Sequence, residues 1–277
     1  MPGFFKRFAQ NRGAIVGALW VLVVLFGALS APFLAQTDPL RVGPQAFDPP
    51  SVRHLFGTDN QGRDVFSGVV YGTRVSLAVG VLAAVTSSVI GISVGAAAGF
   101  GGRLADAVLM RLAELFQIMP RFFLALLIVA LFGSGVDRVV IVIGVLGWPQ
   151  TARLVRAGIL SLREQPFIEA AQAIGKPRGR ICVRDILPNA LPVAVVAGSL
   201  DVAQAILLEA GLSFFGLGDP NLISWGSMLH NAQTFLRHGW WLTLFPGLAI
   251  FLTVLAFNLV GDGVNDALNP KLKPRGA

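Results

Sequence analysis

Long stretches without a charged side chain are the feature that most constrains this fold. Residues 13–37 and 75–102 contain no Asp, Glu, Lys or Arg, and about 20 apolar residues in a helix are enough to cross the hydrocarbon core of a bilayer. The chain is 54% hydrophobic and 13% charged, whereas soluble domains carry about 25% charged residues. Its 277 residues cannot hide so much apolar surface from water by folding alone. The sequence therefore predicts an integral membrane protein.

The apolar stretches predict six membrane spans and an all-α, polytopic fold, because a helix satisfies its own backbone hydrogen bonds in lipid. The first stretch follows a basic start, as a secretory signal peptide does, but its apolar core is longer than the usual length of about 7–15 residues, and we expect a retained helix. We also expect a short polar connection before the third span, and Arg121 at its inner end should reach the head groups. The predicted spans are residues 13–37, 75–102, 115–133, 139–154, 190–212 and 239–261.

Within the second span, Gly91, Gly95 and Gly99 recur every four residues. This spacing places three small residues on one face of a helix, where another helix can approach closely. We predict that this face serves helix packing rather than solute passage.

The basic residues are distributed unevenly between the two sides of the predicted spans. Sixteen of the 22 Lys and Arg residues fall on the side that holds both termini, and six fall on the other. Positive loops stay in the cytoplasm, so both termini are predicted to be cytoplasmic. The same placement accounts for the net charge of +7, and no nucleic-acid partner is expected. Cys182 is the one cysteine and the three histidines lie apart, so we expect no disulfide, metal site or cofactor.

The one long charged segment between two apolar ones is residues 166–189, PFIEAAQAIGKPRGRICVRDILPN. Pro166 suits the first turn of a helix, and apolar residues follow at helical spacing. Gly175 and Pro177 are expected to end that helix. The segment thus predicts a short amphipathic helix with a basic tail outside the bilayer, an element through which a soluble partner can push on membrane helices. Its predicted apolar stripe consists of Phe167, Ala170, Ala171 and Ile174.

Three separated motifs resemble one family of transporters. They are Glu169-Ala170-Ala171 with Gly175 and Ile186-Leu187-Pro188, then Gly57-Thr58-Asp59 with Gly62-Arg63-Asp64, and finally the closing NLVGDGVNDALNP of residues 258–270. Together they resemble permeases of ATP-binding-cassette (ABC) importers in the dipeptide/oligopeptide/nickel branch, and the second motif is similar to that of the second permease of the pair. The resemblance covers about residues 54–273.

The resemblance implies a type I ABC importer permease fold in a bacterial inner membrane. It implies an N-terminal span and external loop over residues 1–74, in which a surface helix starts near Asp64. A core five-helix permease domain over residues 75–273 would then carry a cytoplasmic coupling loop at 158–189. In the family this loop docks on the ATPase subunit, so the carried-over coupling residues are Glu169, Ala170, Ala171 and Gly175, with Leu187 and Pro188 starting the return into the fifth span.

The resemblance implies that an extracytoplasmic binding protein delivers a small solute to a pair of homologous permease subunits. Two cytoplasmic ATPase subunits would drive the passage of the solute between them. Peptides are the commonest cargo of the branch, and nickel or another small solute is the alternative. The chain itself is not expected to be an enzyme, because it has no GxxxxGK[ST] phosphate loop. An ion-driven secondary transporter is a further alternative, although it would want internal repeats and ionisable residues in several spans.

Four residues remain without an assigned role at this point. Lys176 and Asp185 depart from the family pattern of the coupling loop. Asp201 and Glu209 are acids within the fifth span, where a charge is costly unless it faces protein or water. Each of the two acids is therefore predicted either to line the pathway or to form a structural hydrogen bond with a neighbouring span.

Overall fold

The computed structural model describes residues 2–268; Met1 and residues 269–277, with Pro270 of the closing motif and the end of the predicted core domain, lie outside it. The described residues form helices and loops without a β-strand. The α-helices are α1 Pro2–Phe8, α2 Arg12–Leu34, α3 Val65–Phe100, α4 Gly102–Ile118, α5 Arg121–Phe132, α6 Val136–Arg163, α7 Pro166–Ala173, α8 Arg178–Ile181, α9 Leu187–Phe214, α10 Trp225–Ala232 and α11 Trp241–Leu268.

The all-α, polytopic prediction is confirmed. In the described part of the chain, five helical segments are long and apolar enough to cross a membrane, and the bent pair α4–α5 makes six if it counts as one span. Helix α9 lies centrally and packs against α3, α6, α10 and α11, whereas α2 lies against α11 and α3. Asp201 and Glu209 therefore lie on a helix that contacts several other helices.

Helix α3 is longer than the sequence predicted. Its N-cap is Asp64, whose side chain accepts a hydrogen bond from the Ser67 backbone N–H at 2.7 Å. From there the helix runs without a break for 36 residues, because no proline interrupts it and Arg74 is its one charged residue. The surface helix expected near Asp64 is thus the first part of the second span, and α3 crosses the predicted boundary between residues 74 and 75.

The third span differs from the prediction of one straight helix after a polar connection. Residues 102–118 form the amphipathic helix α4, and α5 leaves it at an angle of 81°. Pro120 causes the bend, because proline lacks the N–H that would continue the helix and forces the preceding residue out of the α region. Met119 indeed has extended dihedrals, φ −93° and ψ 142°. The prediction was wrong because the apolar composition continues across Pro120.

The glycine face of α3 packs against α6, which confirms the packing prediction. A Cβ added at Gly91 would lie 2.6 Å from Thr151 Cβ, and one added at Gly99 would lie 2.7 Å from Ile159 Cγ2. At Gly95 the added Cβ would lie 2.5 Å from the Ala152 carbonyl oxygen. Three successive turns of α3 therefore approach α6 more closely than any residue with a side chain would allow.

This contact predicts that Gly95→Val destabilises the protein, because the new side chain would overlap the backbone of α6. Overpacking of this kind costs about 1–3 kcal/mol, which should lower the midpoint of thermal unfolding in detergent. Gly27→Val is the matched control, since a Cβ at Gly27 meets nothing within 4 Å. Equal midpoints for the two variants would contradict the packing role.

Candidate functional site

The predicted loop helix is present as α7. It begins at Pro166, and its C-terminus forms a Schellman motif: the Gly175 N–H donates to Gln172 O at 2.9 Å, and the Lys176 N–H donates to Ala171 O at 3.2 Å. Gly175 has φ +77°, a left-handed conformation that costs other residues free energy. The prediction that Gly175 ends the helix is confirmed.

The face by which α7 attaches to the chain is not the predicted stripe. Within α7, all of which the structure describes, Ile168 is the one buried residue, and it packs in a cluster with Val155 and Ile159 of α6. Phe167 is 48% exposed and Ile174 is 82% exposed. Three residues of the predicted stripe, Phe167, Ala170 and Ile174, are therefore exposed, while Ile168 provides the attachment to the rest of the chain.

The other residues that the resemblance assigned to coupling fall on two elements that lie close together. Glu169, Ala170 and Gly175 are exposed, and Ala171 is half-buried against the Ile168 cluster. Helix α9 begins at Leu187, where the return into the fifth span was expected, and Pro188 is exposed on its first turn. Glu169 to Gly175 thus present one surface, while Leu187 joins the buried cluster behind it.

An ion pair closes the loop between α7 and α9. Lys176 Nζ lies 2.5 Å from Asp185 Oδ2, and the two side chains are 26% and 25% exposed. The two departures from the family pattern therefore contact each other. Sequence reasoning singled out both residues but did not pair them, since residues nine positions apart in an irregular loop have no fixed spacing in space.

Asp201 of α9 is buried among the membrane helices of this chain. Its Oδ2 accepts hydrogen bonds from Ser87 Oγ of α3 and Thr151 Oγ1 of α6, each at 3.3 Å. Of the two roles predicted for Asp201, this geometry favours hydrogen bonding between spans. One carboxylate thereby joins three helices.

Arg121 contacts a neighbouring helix, and its predicted reach to the head groups stays a prediction. It is the first residue of α5, after the Pro120 bend, and its Nη2 donates to Ile143 O of α6 at 2.9 Å. Its half-buried guanidinium is near enough to Asp201 for an electrostatic attraction, but the two groups form no direct ion pair. The bend turns the start of α5 towards α6, so that a half-buried positive charge lies near the buried carboxylate.

Glu209, two turns further along α9, forms a second buried junction. Its carboxylate accepts hydrogen bonds from Ser76 Oγ of α3 at 3.2 Å and from Ser213 Oγ at 2.7 Å. Ser76 Oγ in turn accepts the backbone N–H of Trp225 at 3.2 Å. Through Ser76, Glu209 connects α9 with α3 and with the first residue of α10.

The Gly57–Asp64 motif builds the entrance to α3. Thr58 O accepts the indole N–H of Trp241 at 3.1 Å, and Asp59 Oδ1 accepts the Arg63 backbone N–H at 2.8 Å. Asp64 then caps α3, as described above. The motif therefore folds the loop between α2 and α3 onto the starts of α3 and α11.

The buried charges predict a specific order of stabilities. Asp201→Leu should lower the free energy of unfolding by about 1–3 kcal/mol, because it leaves the buried Ser87 and Thr151 hydroxyls without their acceptor. Asp201→Asn should be intermediate because it keeps a hydrogen-bond acceptor, and the double variant Arg121→Met/Asp201→Leu should recover part of the loss, because it also removes the nearby positive charge. Thermal unfolding in detergent, followed by tryptophan fluorescence, measures all three variants.

Ser93→Ala is the control for a change on α3 that removes no contact between helices, since Ser93 Oγ donates to Val89 O of its own helix. If the double variant is no more stable than Asp201→Leu alone, the two charges do not compensate each other.

Comparison with known proteins agrees with this architecture. Residues 65–274 match the family described as binding-protein-dependent transport system inner membrane component. Residues 3–50 match the N-terminal TM domain of oligopeptide transport permease C. Residues 51–64, the last part of the loop before α3, lie between the two matches.

Similar proteins cover almost the whole chain. A protein of Brucella suis, provisionally named a peptide permease, is 43% identical over 96% of this chain and 89% of its own length. A dipeptide transport system permease protein DppC of Alkalihalophilus pseudofirmus is 40% identical, over 97% of this chain and 89% of its own length. A di/tripeptide transport system permease protein DppC of Pseudomonas aeruginosa is 38% identical, over 98% and 92%. The chain therefore belongs to the family of inner membrane components of binding-protein-dependent transport systems, the permease subunits of ABC transporters, in which separate subunits hydrolyse ATP.

Proposed function

We propose that this chain is one of two homologous permease subunits of a bacterial peptide importer. The observation that carries the proposal is the family match over residues 65–274, joined to relatives named for peptide, dipeptide and di/tripeptide transport. An extracytoplasmic binding protein delivers the peptide. Both termini and α7 lie in the cytoplasm, as the excess of Lys and Arg on that side favours.

Helix α7 is the element on which an ATPase subunit docks. Phe167, Ala170 and Ile174 form an exposed apolar stripe on a helix outside the membrane spans, with Glu169 beside it in the first turn. A large exposed apolar surface favours contact with a partner, and a short amphipathic helix fits a groove. ATP-driven closure of the ATPase subunits would then displace α7 and, with it, the helices that α7 touches.

The second permease subunit completes the solute pathway. Asp201 and Glu209 are both buried inside this chain, so they hold its helices together and leave little surface to touch a passing peptide. The bent pair α4–α5 has a broad exposed apolar face, which includes Leu115, Phe123 and Leu127. A homologous subunit and lipid share that face, and the path runs between the two subunits.

Docking through the stripe predicts the effect of Ile174→Asp. Ile174 is 82% exposed, so the change leaves the fold of the isolated chain intact but places a charge in the apolar contact with the ATPase. We expect the ATPase subunits to be lost from the complex purified in detergent, and ATP-driven peptide uptake into proteoliposomes to fall at least about tenfold, the equivalent of about 1.4 kcal/mol.

Val52→Asp is the control, because it makes the same kind of change at a residue of the external loop that is 95% exposed. If Ile174→Asp retains both the ATPase subunits and uptake, α7 is not the docking element. Uptake driven by an ion gradient, without any ATPase subunit, would instead make the chain a secondary transporter.

The turn after α7 predicts a second pair of variants. A Cβ at Gly175 and a Cβ at Gly179 would each meet nothing within 4 Å, but of the two only Gly175 has a positive φ. Gly175→Ala strains the left-handed residue by about 1–2 kcal/mol and should reorient α7, so that uptake falls while insertion persists. Gly179→Ala should transport like the wild type. Equal uptake rates for the two variants would show that the conformation of this turn plays no part in coupling.

A further inference from the structure

Helix α7 has few attachments to the membrane helices. Ile168, its one buried residue, packs in a cluster that includes Ala190 of α9, and beyond the helix the chain passes through the left-handed Gly175. The glycine turn before Pro177 sets the direction of the chain after α7, but it does not hold α7 rigidly in place. If α7 is to move α9 when it is displaced, some further contact has to keep the angle between the two elements.

Lys176 is in a position to make that contact. As the second residue after the C-cap Ile174, it belongs to the Schellman motif, where its N–H donates to Ala171 O at 3.2 Å. Its backbone is therefore tied to α7, although it lies outside the helix. An apolar residue frequently occupies this position and packs on the helix; here the lysine side chain turns towards α9 and ends 2.5 Å from Asp185 Oδ2.

Asp185 is tied to α9 in a corresponding way. It lies in a single π-helical turn, Cys182–Ile186, directly before α9. Pro188 accounts for this turn, since it has no N–H for Arg184 O and its ring crowds that carbonyl group, while the Leu187 N–H bonds to Cys182 O instead. The Asn189 side chain of α9 then donates to Asp185 O at 2.6 Å.

We propose that the Lys176–Asp185 ion pair is a strut that holds α7 at a fixed angle to α9, so that displacement of α7 by the ATPase is passed to α9. The proposal rests on the proposed function, in that α7 is taken as the docking helix. Lys176 and Asp185 are positioning residues: neither belongs to the exposed stripe. Movement of α9 would then reach α3 and α6 through Asp201, and α10 through Glu209.

An ion pair that only stabilised the fold would affect a different measurement from one that transmits movement. Loss of a half-buried pair that only stabilised the fold would lower stability and so reduce the amount of folded complex. Loss of a strut leaves docking intact but lets α7 turn without moving α9. The number of ATP molecules hydrolysed per peptide imported separates the two cases, because it rises when coupling is lost and does not depend on the amount of complex.

The experiment uses the complete importer in proteoliposomes with a labelled dipeptide, and compares Lys176→Glu, Asp185→Lys and the exchanged double variant Lys176→Glu/Asp185→Lys. Each single change opposes two like charges. We expect each single variant to keep its ATPase subunits but to hydrolyse at least about fivefold more ATP per peptide than the wild type, and we expect the double variant to return to within about twofold, since it restores opposite charges.

The control for net charge is Arg184→Glu/Asp185→Lys. This double variant has the same total charge as the exchanged pair, but Lys176 still faces a lysine, so we expect it to remain uncoupled. The strut is refuted if the exchanged pair is no better coupled than the worse single variant, or if the single variants have the wild-type ratio. Failure of the proposed function would look different, because the wild type itself would then show no ATP-driven uptake.

Discussion

A charge or an unpaired polar group inside the bilayer needs a partner within the protein, because lipid supplies none. This requirement organises α9 and its neighbours. Asp201 obtains hydrogen bonds from α3 and α6, and Glu209 obtains them from α3 and from within α9. Each acid is therefore a fixed point at which helices cannot slide past one another without leaving a carboxylate unpaired. Two such points along one helix define its orientation in the bundle far better than apolar packing in lipid would.

Close packing supplies the second constraint, and it acts on the same face of α3, where Ser87 lies one turn before Gly91. The glycine face of that helix brings the backbones of α3 and α6 into contact, and Thr151 of α6 both packs against Gly91 and donates to Asp201. Steric contact and hydrogen bonding thus converge on the same turn of α6. Helices α3, α6 and α9 form a unit for this reason, whereas α4 and α5, bent at Pro120, have fewer buried residues and a looser connection to it.

The features that could be predicted from the sequence were those decided by neighbouring residues. Gly175 and Pro177 predicted the end of α7, and the length of the apolar stretches predicted the membrane spans. The bend at Pro120 has an equally local cause, but the run of apolar residues outweighed it in the prediction. The burial of Ile168, in contrast, depends on a hollow built by α6, and no periodicity within eight residues can tell which face of a helix meets its own chain and which meets a partner.

The pairing of Lys176 with Asp185 also could not be predicted from neighbouring residues, but the sequence contains a sign of it. Each residue alone is a departure from a family pattern and suggests no role, since its effect depends on a contact across an irregular loop. Two departures of opposite charge, however, cost least when they occur together, because either one alone would place a half-buried charge without a partner. Two residues of opposite charge that both depart from the family pattern within one loop therefore indicate a contact, and such pairs can be sought before a structure is known. In this chain the ion pair links the residue beyond the α7 turn to the π-helical turn directly before α9, the helix that carries both buried acids.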